Sequence, residues 1–77
     1  MPHFYFHLFN DMDVVDAEGV ELPNAAAALN HAREEARTMI CVAVHQGHLN
    51  LNHRIEIEDE AGNRTPMTFR DAFTITD

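Results

Sequence analysis

The residues of this chain best equipped for chemistry are its six histidines, set in a sequence with no lysine and no serine. Three of them, His45, His48 and His53, crowd the run HQGHLNLNH. A zinc-type site needs several such ligands converging at about 2 Å from one ion, so this run would have to fold back on itself. These three are the candidate metal ligands. The competing reading makes them solvated side chains at a helix end, where a protonated imidazole is favoured by the helix dipole. His3 and His7 share one strand face but stand about 13 Å apart, too far to hold one ion unaided.

Nucleophilic chemistry has little to work with. Serine is absent, and Cys41 lies in an apolar helical run, where a thiol behaves as a small hydrophobe. Glu34 with Glu35, and Glu56 with Glu58, have the spacing of solvated helix and strand faces. The three glycines are isolated, so no phosphate-cradling loop exists. The expectation is a non-enzyme with no catalytic residue and no cofactor.

Charge narrows the partners. Five basic against thirteen acidic residues leave a formal charge of −8, and the arginines (33, 37, 54, 64, 70) are dispersed. Displacing phosphate counterions takes clustered cations, so direct nucleic-acid binding is not expected, nor is adsorption to anionic lipid. A basic protein partner is compatible with this balance. The longest uninterrupted apolar stretch, Met39–Val44, is far short of a membrane span. Met1-Pro2-His3 resembles no targeting signal. A lone cysteine excludes an internal disulfide, and the expected location is cytoplasmic.

These side chains must be positioned by one domain, residues 1–77, whose size buries only roughly 60–65% of its unfolded surface. HFYFHLF (His3–Phe9) alternates, with Phe4, Phe6 and Leu8 on the core face and His3, Tyr5 and His7 outside. Asn10–Asp13 is a turn signal, and Val14–Val15 is a short returning strand. Asp16–Glu21 is a polar bend around Gly19. Pro23 and Asn24 announce a helix of about 22 residues and 33 Å, capped by Asn24 and stopped at Gly47. Ala25, Leu29, Ala32, Ala36, Ile40, Ala43 and Val44 form its apolar stripe, flanked by Ala28 and Met39. Cys41 and Val42 lie off that stripe, among polar positions. After a linker with Leu49 and Leu51 as plugs, Arg54–Glu58 alternates again. A turn at Glu60–Asn63 leads to a last strand from Arg64 to about Phe69, with Phe73 and Ile75 continuing its inner face. Pro66 makes that strand an edge or a bulged one. The fold class is α+β, in the order β-β-α-β-β. It is a small antiparallel sheet of three to four strands with one long helix packed on one face.

Several segments in this order resemble a family of short bacterial proteins known only as a domain of unknown function. They are Tyr5-Phe6-His7-Leu8 in the first strand, then Glu18-Gly19 with Glu21-Leu22-Pro23 before the helix. Ile55, Ile57, Asp59 and Gly62 follow in the later hairpin. The resemblance spans nearly the whole chain and implies the same β-β-α-β-β order, but no activity. Phe9–Met12 and Cys41 depart from the family pattern.

Surplus apolar surface points to contact rather than catalysis. One helix covers one face of the sheet and leaves the other open. Tyr5 and His7 on that open face, and Cys41 and Val42 on the helix, are the candidate interface residues. His7 is expected to bond a neighbouring strand or loop carboxylate, such as Asp11 or Asp16. The leading expectation is a self-associating interaction or regulatory domain, a homodimer. Histidine protonation would tune it by moving the formal charge from −8 to −2 (−8 + 6). A second expectation is an antitoxin-like domain neutralising a basic partner, by likeness of shape alone. The third is a histidine metal site.

Overall fold

The structure is a computed structural model, in which residues 1–76 are described. The chain runs β1 (His3–Phe9), β2 (Asp13–Val14), β3 (Val20–Glu21), α1 (Ala25–His45), β4 (Arg54–Glu58) and β5 (Arg64–Thr68). A 3-10 turn, Phe69–Ala72, follows. The strands form one antiparallel sheet in the order β2-β1-β4-β5, with β3 also paired to β1. The α+β class and the position of the helix between two groups of strands agree with the expected β-β-α-β-β order.

The sheet has five strands rather than three or four. The stretch expected to be a polar bend contributes β3, whereas Val15, expected in a strand, lies outside one. The cause is local. β2 pairs Leu8 with Val14, and β3 pairs Phe4 with Val20, so Tyr5–His7 face the longer segment Val15–Gly19. The returning chain must bulge there, and Asp16 fills the gap left in the ladder. Its Oδ2 accepts from the Phe6 amide at 3.1 Å, where a backbone carbonyl would otherwise stand.

Helix α1 begins where the sequence places it. Asn24 is extended, and its Oδ1 accepts from the Ala27 amide at 2.9 Å. At the other end the Gly47 and His48 amides return to Val44 and Ala43 carbonyls at 3.0 Å each. That closure needs Gly47 at φ +82°. Ala28, Ala32, Ala36 and Ile40 are the buried row. They pack with Phe4, Phe6, Ile55, Ile57, Met67, Phe69 and Ala72 as the core. Small alanines let the helix approach closely, and Ile55 is the bulkiest side chain fully shut from water.

The apolar stripe is shorter than expected at both ends. Ala25 is exposed, and Val44 is 59% exposed. A 21-residue helix is about 32 Å long, while five-residue strands reach about 17 Å, so its last turns overhang the sheet. The C-terminal segment also corrects the sequence reading. β5 ends at Thr68, and the Phe69 and Arg70 amides turn back to the His53 and Leu51 carbonyls. Thr68 Oγ1 donates to Asp71 at 2.9 Å, and Arg37 Nε donates to the Ala72 carbonyl at 2.6 Å. Phe73 is therefore only half-buried and Ile75 is exposed, neither continuing the strand. Pro66 sits opposite Glu56 on the edge strand β5 in regular register, one of its two expected settings.

Candidate functional site

Two places gather the polar candidates, the outer sheet face and the overhanging end of α1. On the outer face His7 is the one buried polar side chain among the described residues. Its Nε2 lies 2.8 Å from Glu58 Oε1, and its Nδ1 accepts the Asp16 amide at 3.0 Å. Because Nδ1 is an acceptor, the ring proton belongs on Nε2, from which it is donated to Glu58. The expectation was a neighbouring strand or loop carboxylate, with Asp11 and Asp16 as examples, and a neighbouring-strand carboxylate is what the ring meets. That carboxylate is Glu58 and neither Asp example, brought there by the β1–β4 pairing, and Asp16 meets the ring through its backbone. Both nitrogens are engaged, which makes His7 a structural pin for the bulge. Tyr5 lies beside it, half-buried, with ring centres 6.4 Å from His7 and 5.1 Å from His3.

Asp16 completes the pin. Besides Phe6, its carboxylate accepts from the Glu18 and Gly19 amides at 3.1 Å each. Burial pushes its acidity one way, toward a raised pKa. The amides of Gly19, Phe6 and Glu18, and the His7 ring when charged, outweigh that and hold it below the ordinary carboxylate range. The unfolded chain therefore takes up this proton first as the solution is acidified. The resulting stabilisation is complete at neutral pH and fades below about pH 4. Asp16→Asn should lower stability at pH 7 by about 1–2 kcal/mol, because an amide oxygen replaces one acceptor but not both. It should also flatten the acid limb of a urea-denaturation series, and an unchanged acid limb would refute this account of Asp16.

The rest of the face is occupied by paired charge. Glu56 accepts from Arg54 at 2.9 Å and Arg64 at 3.2 Å, and Arg64 also reaches Glu58 at 3.2 Å. The Arg54 hydrogen bond is the main reason the Glu56 carboxyl sits below its ordinary value, with Arg64 adding to it. Arg54 in turn covers the Phe9 ring at 4.5 Å. The face left open by the helix is thus a charge ladder rather than a bare apolar surface.

The other place is a groove of about 360 Å³ between the last turns of α1, the end of β1 and the linker before β4. Met39, Val42 and Ala43 form its helix wall, Leu8, Leu49 and Phe69 its floor and far side. Thr38, Gln46, His48, Asn50 and His53 stand among the lining, with Asn10 and Asp11 on the β1–β2 turn. His53 Nε2 is 3.5 Å from Asp11, and its ring meets Phe69 edge-on at 5.7 Å.

The structure thus divides the sequence candidates. Val42 lines the groove at 54% exposure, while Cys41, its neighbour, is exposed elsewhere on the helix and is not packed away as a hydrophobe. His48 and His53 share the groove, while exposed His45 is not part of its lining. No group of three or more His, Cys, Asp or Glu side chains among the described residues is placed to hold a metal ion. The sequence does not show Leu8, Met39 and Leu49 meeting in one groove. Each carried a signal of its own, Leu8 on the core face of β1, Met39 beside the helix stripe and Leu49 as a linker plug, but a concavity arises from the helix overhang and leaves no motif.

The architecture defines a small sheet-and-helix domain with the larger apolar-lined groove at the C-terminal end of α1 and a smaller one of about 190 Å³, lined by Phe4, Ala25, Leu29 and Ile57, at its N-terminal end. A family model described as Domain of unknown function (DUF6894) matches residues 3–68. The chain belongs to that family. No curated protein and no solved structure matches it. No helix among the described residues is long and apolar enough to cross a membrane.

Proposed function

We propose that this chain is a non-enzymatic interaction domain that self-associates, with the groove at the C-terminal half of α1 as its contact surface. The observation that carries this reading is the groove itself. A concave groove lined largely by apolar side chains, with polar groups at its border, has the composition of a surface on which another chain can be buried. The ion-paired outer sheet face offers a partner little to desolvate profitably, which favours the helix end over Tyr5 and His7. The fold has no disulfide or metal staple among its described residues, and a second chain would supply the missing burial.

Size-exclusion chromatography with light scattering tests the proposal. A dimer mass at high micromolar concentration supports it, and a clean monomer mass overturns it. The charge of −8 favours a second reading, capture of a basic protein. In that case the chain is monomeric alone, and co-purification from the host yields a basic partner.

A further inference from the structure

Beside the groove stands the means of filling it. The β1–β2 turn carries Met12, 72% exposed, between Asp11 and Asp13. This tip is held rigid, since the Met12 amide donates to Asn10 Oδ1 at 2.9 Å and the Phe9–Asp13 pair closes the hairpin. It therefore presents an unbranched, adaptable apolar side chain flanked by two carboxylates. The groove next to it has the opposite character. Its apolar floor is bordered by side chains able to donate, the His48 imidazole and the amides of Gln46 and Asn50, whereas His53 already stands beside Asp11 and the Thr38 hydroxyl is given to the Glu34 carbonyl. Asp11 at the rim is its single carboxylate.

Resting on the self-association reading above, we propose that the occupant of the groove is the hairpin tip of a second copy of this chain. Met12 of each protomer enters between Met39, Val42 and Leu49 of the other, and Asp13 faces the partner's His48, Gln46 and Asn50. Because knob and hole lie side by side on one surface, a two-fold axis between them satisfies both contacts at once. This is the self-complementary arrangement a symmetric dimer requires. The charge match is local and works within a chain that is acidic overall. It lets a −8 protein pair at this place, while the sheet face is already occupied by its own Arg–Glu ion pairs.

Sedimentation equilibrium on the full chain and on Met12→Asp and Val42→Asp is the test. Both positions are exposed, so circular dichroism should show unchanged folds. Each variant should weaken the dimer by about tenfold or more, as loss of a central apolar anchor does. An equimolar mixture of the two should associate more tightly than either alone. One intact knob then meets one intact hole, while both substitutions fall in the other contact, where their effects do not add. A monomeric wild type overturns the self-association reading and this proposal with it. A dimer abolished by Val42→Asp but untouched by Met12→Asp leaves the groove standing and overturns the hairpin as its occupant. A mixture no tighter than its parents overturns the direct contact.

Discussion

Replacing Gly19 with alanine should cost the fold about 2–4 kcal/mol, several times what the same replacement costs at Gly47. Both glycines hold positive φ, +69° and +82°, so both replacements carry the left-handed penalty of about 1 kcal/mol. Only Gly19 is also closed in. A methyl there would lie 2.6 Å from His3 Nε2 and 2.7 Å from the Phe4 carbonyl oxygen, whereas nothing lies within 4 Å at Gly47. The imidazole can swing aside. The carbonyl belongs to the β1–β3 pair and can retreat only by opening it. Opening it also withdraws the Gly19 amide from Asp16 and loosens the pin on His7. Urea denaturation of the two variants beside the wild type measures the difference directly. Equal losses at the two positions would show that close approach to Phe4 does not limit the site.

The second large effect is at Ile55. It is 1% exposed, sits opposite Leu8 and Met67 in the central strand β4, and has no water-facing atom to cushion a change. Ile55→Ala should remove about 2–5 kcal/mol, from lost transfer energy and from the cavity left behind. For a domain of this size, with eleven buried core side chains and a total stability of about 5–10 kcal/mol, that is a large share. The thermal midpoint should fall by roughly 10 °C or more. Val42→Ala, on the exposed helix end, should stay within about 0.5 kcal/mol in the monomeric state. A small loss at Ile55 would mean that β4 is not the centre of the sheet.

Much of this fold was legible because its signals are periodic. Phe4 and Phe6, Ile55 and Ile57, and the alanine row of α1 repeat at the spacing of their elements, and Asn24 and Gly47 mark the helix ends chemically. What periodicity does not carry is length matching between elements. Val44 and Ile75 have the right types for a core, yet the helix outruns the sheet and β5 turns away at Thr68. The same mismatch creates the groove, so its walls were no more readable than the overhang. Val42 was legible as an apolar residue on the wrong side of the helix, but its neighbour Cys41 carried the identical signal and lies outside the groove. The pin at His7 was readable only in part. A histidine between aromatic residues asks for a partner, but Glu58 is 51 residues away and becomes that partner only through strand register. The polar stretch Asp16–Gly19 looked like a simple bend. It proves to be a bulge in which a carboxylate takes the place of a backbone carbonyl.

The central claim is that this domain works by pairing with its own kind through the end of its helix. Sedimentation equilibrium of the wild type beside Val42→Asp tests it most directly. The claim predicts a wild-type dimer at high micromolar concentration and a folded monomer for the variant. A wild type that remains monomeric, or a variant that dimerises equally well, would contradict it.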